Sequence, residues 1–180
     1  MGLLYSQAKY LAEQCLKHEI TGRVVSLGRL DYYMTYEQFQ ALMVDVKLAA
    51  WDGDRLCFAD VERGKRIAQM VDDNEHINTE FTNTRLFSSP IITDKLFYTA
   101  LGFEQSDSID NSSRHGTPSI TYDLNQADIQ REISRSYDLV LDVGVMEHVF
   151  DVRQVFINMT DLTKVGGHII HIVPSNNTMD

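Results

Sequence analysis

Cysteine is nearly absent from this chain: Cys15 and Cys57 are the only two, and no CxxC spacing occurs. Neither a disulfide framework nor a zinc knuckle is therefore expected, and a reduced, cytoplasmic setting follows as the expectation. Long apolar runs are missing as well. None approaches the roughly 20 residues that a membrane-spanning helix needs. The first apolar residues are interleaved with Gln7, Lys9, Glu13 and Gln14, unlike the core of a signal peptide. No membrane association is expected. Positive charge is in short supply: 16 Lys and Arg against 26 Asp and Glu leave a net charge of −10, which argues against a broad nucleic-acid footprint. Three motifs are lacking too. There is no HxxxH or HExxH, so no metal site is expected. There is no GxSxG around Ser26, Ser112 or Ser113, which disfavours a serine hydrolase. There is no GxGxxG, which places a nicotinamide-dependent oxidoreductase behind other readings. What is present suits one globular domain over residues 1–180: 43% hydrophobic residues and enough length for a full-sized core.

The most informative stretch runs from Tyr137 to Pro174, YDLVLDVGVMEHVFDVRQVFINMTDLTKVGGHIIHIVP. Leu139, Val140, Leu141 and Val143 form an apolar run too short for a helix and rich in β-branched residues. Val152, Val155, Phe156 and Met159 then repeat at helical spacing. Asp151 is placed as N-cap, with Gln154 completing a capping box, and Gly166-Gly167 reads as the helix stop. Ile169, Ile170, Ile172 and Val173 supply a second buried strand, ended by Pro174. Strand, helix and strand, both strands apolar, predict a βαβ unit and hence a parallel sheet covered on both faces.

Earlier in the chain, Ala8, Leu11 and Cys15 mark an amphipathic helix over about residues 3–18. Arg23–Gly28 reads as the first strand. Thr35 and Gln38 match a capping box before a helix bearing Phe39, Leu42, Met43 and Val46. Residues 50–90 loosen into an insertion, with one short helical turn at Ile67, Met70 and Val71 and a polar stretch over 72–89, of the kind used as a lid or binding loop. Thr93 caps a helix over Asp94–Leu101 that Gly102 ends. Phe103–Asn111 is a polar strand closing on Asp110, and Ser119–Asn125 a short one closing on Asp123. A small helix near Ala127–Ile133 leads back to the βαβ unit. The five strands end near Gly28, Asp110, Asp123, Val143-Gly144 and Pro174, and ligands of open α/β sheets bind at such carboxyl ends.

In this order the residues resemble a class I S-adenosylmethionine-dependent methyltransferase. The block YDLVLDVGVMEHV followed by KVGGHIIHIVP carries the likeness best, with GRVVSLGR, SIDNSS and TYDLN in the places of the first three strands. The resemblance implies an α/β, Rossmann-like doubly wound and mainly parallel sheet of order 3-2-1-4-5. It implies S-adenosylmethionine as cofactor. Gly28 would let the backbone approach the methionine part, Asp110 would take the ribose hydroxyls, Asp123 and Leu124 would hold the adenine edge, and Val143 to His148, including Gly144, would line the other side. The glycine-rich turn of that family is reduced here to SLGRLDY, with Gly28 alone. The chain stops soon after strand five, before the family's C-terminal hairpin strands, so the expectation is either a fragment of a longer chain or a shortened sheet.

Each candidate also has a bland reading. Glu147 and His148 are a candidate acid/base pair, yet neighbours on a helix do not face each other, and a structural role stands beside the catalytic one. Asp110 and Asp123 serve either a ligand or their own turns. Tyr32, Tyr33 and Tyr36 cover a ligand or pack in the core. His168 and His171 are three apart on a strand and point to opposite faces, so they do not share a metal. His18, His76 and His115 are isolated. The functional expectation is a methyltransferase acting on a small-molecule, sugar or other metabolite acceptor. The alternative is a non-catalytic domain of the same fold that binds or scaffolds a partner. Strand five, if it is a sheet edge, is an exposed apolar template, and cover by a second copy or by further chain is expected.

Overall fold

The computed structural model describes residues 2–79, 89–112 and 118–173. Ser113, His115, Pro174, the tail at 176–180 and residues 80–88 of the insertion lie outside the described residues. The elements begin with β1 (Gly2–Leu4), α1 (Tyr5–Lys17), β2 (Gly22–Leu27), β3 (Asp31–Tyr33), α2 (Tyr36–Asp45), β4 (Ala49–Asp52), β5 (Arg55–Phe58) and α3 (Val61–Asp72). They continue with α4 (Asp94–Leu101), β6 (Phe103–Asp110), β7 (Ile120–Thr121), α5 (Ile129–Glu132), β8 (Tyr137–Val143), α6 (Val152–Leu162) and β9 (Thr163–Ile172). Contacts divide the chain into two compact units, one of residues 20–30 and 105–180, the other of 2–19 and 31–104.

The first unit is built on a five-stranded, all-parallel sheet in the order β7-β6-β2-β8-β9, so that β2 is central. It is an α/β arrangement with flanking helices, consistent with a Rossmann-like fold. Val25 pairs with Val140 and Leu27 with Asp142, which fixes the β2–β8 register. On one face Val25, Leu27, Ile109 and Val140 pack against Ile129 of α5 and Val155, Met159 and Leu162 of α6. Gly22 begins β2 at φ +92°, where a side chain would run into the Asp138 carboxylate. That carboxylate accepts the Arg23 N–H at 2.7 Å and the Lys164 ammonium at 2.7 Å, tying the starts of three strands together.

Four details of the βαβ unit differ from the expectation. The buried stripe of α6 is Val155, Asn158, Met159 and Leu162, while Val152 and Phe156 stay 40% and 47% exposed. The apolar spacing was read one helix step away because the polar Asn158 belongs to the inward face. Gln154 does not close a capping box: Asp151 accepts its N–H at 2.9 Å, but the Asp151 N–H goes to Asn125 and the Gln154 amide to Asn158. Gly166 and Gly167 do not stop the helix, which ends at Leu162. They fall in β9, where two steps along β8 face five along β9 and Gly166 takes φ +81°. Finally, strand five is not buried. It is the edge of the sheet, and Ile169 and Val173 are 37% and 51% exposed.

In the second unit β1 pairs in parallel with β3, a contact that the sequence reading missed because both strands are three residues long. Leu3, Leu11, Tyr32, Phe39, Leu42, Phe97 and Tyr98 are fully or almost fully buried there. Tyr32 stacks on Phe97 at 4.4 Å and meets Tyr98 edge-on, so it is a core residue and not a ligand cover. Thr35 and Gln38 form the expected reciprocal box at the start of α2, with bonds of 3.3 and 2.9 Å. Thr93 caps α4, and Gly102 ends it at φ +95°. The insertion is more regular than its composition suggests. It holds the β4–β5 hairpin turning at Gly53, followed by α3 capped by Asp60.

Candidate functional site

A cavity of about 330 Å³ opens at the carboxyl ends of β2, β6 and β8, with the loop after β7 on its far side. All its lining residues belong to the sheet unit. Right-handed crossovers between parallel strands bring these ends together, which is where open α/β sheets bind ligands. The size is at the lower end of small-molecule sites.

Of the residues singled out in the sequence, Gly28, Asp110, Asp123, Leu124 and His148 line the cavity. Val143, Gly144 and Glu147 do not. Val143 and Gly144 are buried where β8 ends, and Glu147 and His148 are both exposed on a single 3₁₀ turn, Met146–His148, of which only His148 lines the cavity. Neighbours on such a turn diverge, so Glu147 and His148 are not brought together as a pair.

Each acid spends one oxygen on its own turn. Asp110 Oδ1 accepts the Ser112 N–H at 3.1 Å. Asp123 Oδ1 accepts both the N–H and the side-chain amide of Asn125, at 3.0 and 2.8 Å. These bonds hold the Asp123 carboxyl below its ordinary range. Among the described residues the second oxygen of each acid accepts no hydrogen bond, and both acids line the cavity, one at the end of β6 and one in the loop after β7. Tyr122, between them, is mostly buried and donates to the carbonyls of Gln126 and Ala127. Burial first, then the charges of Glu132, Asp128 and Asp123, push its phenol upward.

At the β2 end Gly28 takes φ +69°, and a side chain there would meet Val145 Cγ2 at 2.7 Å. Its N–H is donated to Ile109 O at 2.6 Å, and its carbonyl accepts the Ser26 hydroxyl at 2.9 Å. The glycine is thus needed for close approach, but the atom that approaches is Val145 of the chain itself. Val145 is held in turn by Asp142, a fully buried carboxylate that accepts the N–H groups of Val145 and Met146 at 3.0 and 3.3 Å. The other Asp142 oxygen lies 3.2 Å from His171 Nδ1.

Sequence reasoning missed Arg29, Asn111 and Asn125 as lining residues, and Asn158 as the brace behind them. Asn158 is fully buried and donates to the carbonyls of Leu124 and Gln126, both at 3.0 Å. Its signal was available: a lone amide within an otherwise apolar stripe. Among the described residues no three His, Cys, Asp or Glu side chains converge in a metal-binding group, and no helix is long and apolar enough to cross a membrane.

Compared with protein-family models, with curated proteins and with solved structures, the chain has no match in any of the three.

Proposed function

We propose that the cavity binds the nucleoside part of S-adenosylmethionine and that the chain is a methyltransferase acting on a small-molecule acceptor. The observation that carries this reading is the convergence of Asp110 and Asp123, each with an oxygen to offer, at the carboxyl ends of adjacent parallel strands. A carboxylate in that position accepts both protons of a ribose diol, and Asp123 with the Leu124 backbone is placed to meet a base edge. Tyr122, Val145 and Val149 offer apolar surface to a flat ring. The reading takes the sheet as the doubly wound core of such an enzyme, in the order 3-2-1-4-5.

Methyl transfer from a sulfonium is an in-line displacement, and positioning supplies most of its acceleration. His148, at the cavity mouth, is the group available to take a proton from an acceptor hydroxyl or amine. Glu147, exposed and turned away, is left with no part in that step. The test is calorimetric titration with S-adenosylmethionine and S-adenosylhomocysteine. Saturable binding of either at micromolar concentration supports the reading, and none up to millimolar would remove it. One observation favours a second reading, a partner-binding module of the same fold: Phe150, beside the cavity turn, is 99% exposed, and Phe156 and Val173 are about half exposed.

A further inference from the structure

We infer that Asp142 is a positioning residue for the cavity, holding the turn that supplies Val145, His148 and Val149 to its wall, and that His171 on the neighbouring strand holds Asp142. The ligand used to test this rests on the nucleoside reading of the cavity.

Asp142 interrupts the apolar run of β8, with Leu141 before it and Val143 after it, and is fully buried. A carboxylate so far from water is costly unless donors meet both of its oxygens. Here they do. Oδ1 accepts the N–H groups of Val145 and Met146 at 3.0 and 3.3 Å, and Oδ2 lies 3.2 Å from His171 Nδ1. A carboxylate only accepts, so the imidazole presents its Nδ1 proton. His171 stands directly opposite Asp142 in the β8–β9 register, and its ring rests against Phe156 of α6 at 5.2 Å.

The two N–H groups that Asp142 holds open the 3₁₀ turn, and the turn continues from the same residues. His148 N–H is donated to Val145 O at 2.9 Å and Val149 N–H to Met146 O at 3.1 Å. Val145, His148 and Val149 line the cavity, and Val145 Cγ2 fills the space in front of Gly28. Neither Asp142 nor His171 lines it. Apolar residues of similar size would stabilise the sheet at least as well as a buried acid and its partner. What they would not do is hold the turn.

The experiment pairs His171→Phe, which keeps a ring against Phe156 but offers no donor, with His171→Asn, whose amide donates from near the Nδ1 position. Both substitutions lie outside the cavity, so an effect on its ligand passes through Asp142. S-adenosylhomocysteine is titrated calorimetrically into the wild type and both variants, and amide hydrogen exchange is followed at Val145 and Met146 without ligand. His171→Phe is expected to weaken binding and to speed exchange at the two amides by about fivefold or more, the range of one hydrogen bond to a charged group. His171→Asn is expected to restore most of both. His171→Leu serves if the Phe variant does not fold. Unchanged affinity in His171→Phe overturns the assignment even where urea unfolding shows lost stability, since the pair is then a structural contact alone. A loss of affinity that His171→Asn does not mend overturns it as well. Failure of the wild type to bind the ligand removes the nucleoside reading, and exchange then decides alone: amides that keep their wild-type rates in His171→Phe sink the role of the pair.

Discussion

At one edge of the parallel sheet β7 pairs with its neighbour over Ile120 and Thr121 alone; at the other, β9 runs ten residues from Thr163 to Ile172. The short edge gives way at once to a loop braced by side-chain hydrogen bonds within the chain. Tyr122 donates to Gln126 and Ala127, Asn125 binds Asp123 and receives the Asp151 N–H, and Asn158 holds two carbonyls from below. Among the described residues the long edge is guarded where it starts, by the bulge around Gly166 and the Lys164–Asp138 ion pair. Beyond it Ile169 and Val173 face outward. Edge strands are templates for further pairing unless short, bulged or charged. The loop after β7 forms one wall of the cavity, whereas among the described residues the second half of β9 has no strand beyond it.

The largest expected effect lies at the braced edge. Asn158→Ala leaves the Leu124 carbonyl without its buried donor, while the Gln126 carbonyl keeps the Tyr122 hydroxyl. A loss of about 1–3 kcal/mol in urea-induced unfolding is expected. A loss below about 0.5 kcal/mol, the size of an ordinary surface change, would mean that the loop holds itself.

Asp110→Asn, at the strand next to that loop, acts on binding instead. Cofactor affinity is expected to fall by about 1.5–3 kcal/mol, with circular dichroism and unfolding unchanged. Undiminished affinity would reduce Asp110 to a turn residue.

At the guarded start of β9 the probe is pH. Burial raises the Asp138 carboxyl, but the Lys164 bond and the Arg23 N–H outweigh it, so that the folded value lies below the ordinary 3.8. A depressed carboxyl stabilises the fold above its unfolded value, and that contribution is lost as pH falls through the folded one. The stability difference between wild type and Asp138→Asn is therefore expected to be full at neutral pH and to shrink below about pH 4. A difference that stays constant down to the acid limit would assign it to packing.

The smallest effect on stability is expected at the open half of β9. Ile169→Lys should change unfolding free energy by no more than about 0.5 kcal/mol. In sedimentation equilibrium the wild type is expected to self-associate with concentration and the variant to stay monomeric. A wild type that remains monomeric at high concentration would show that this edge needs no cover.

Where a signal is local, it was legible. Thr93 and Gly102 bracket α4, Thr35 and Gln38 open α2, and Leu139 to Val143 form β8, because caps and short apolar runs act through neighbours in the chain. The face of α6 was less legible. Val152 and Phe156 are as apolar as Val155 and Met159, and only the sheet beneath decides which of them is covered. The end of α6 was misplaced for a related reason: glycine marks both a helix stop and a bulge, and pairing with β8 selected the bulge. In the site, Asp110, Asp123 and His148 were legible as polar residues at strand ends. The cavity-lining place of Arg29 and the brace made by Asn158 were not, since both depend on contacts between residues distant along the chain.

By itself the sequence determined the class of fold and the end of the sheet at which the candidate site opens. Alternation of apolar strands with capped helices leaves few arrangements other than a parallel sheet, and parallel strands all present their carboxyl ends on one side. Only the tertiary structure decided how that site is furnished. Packing placed Val145 in the gap at Gly28, set His148 and not Glu147 along the cavity, and put Asn158 under the loop that carries Asp123. These are contacts between residues distant along the chain, and no local propensity encodes them; they exist because steric fit and the pairing of buried polar groups are settled only when the elements meet.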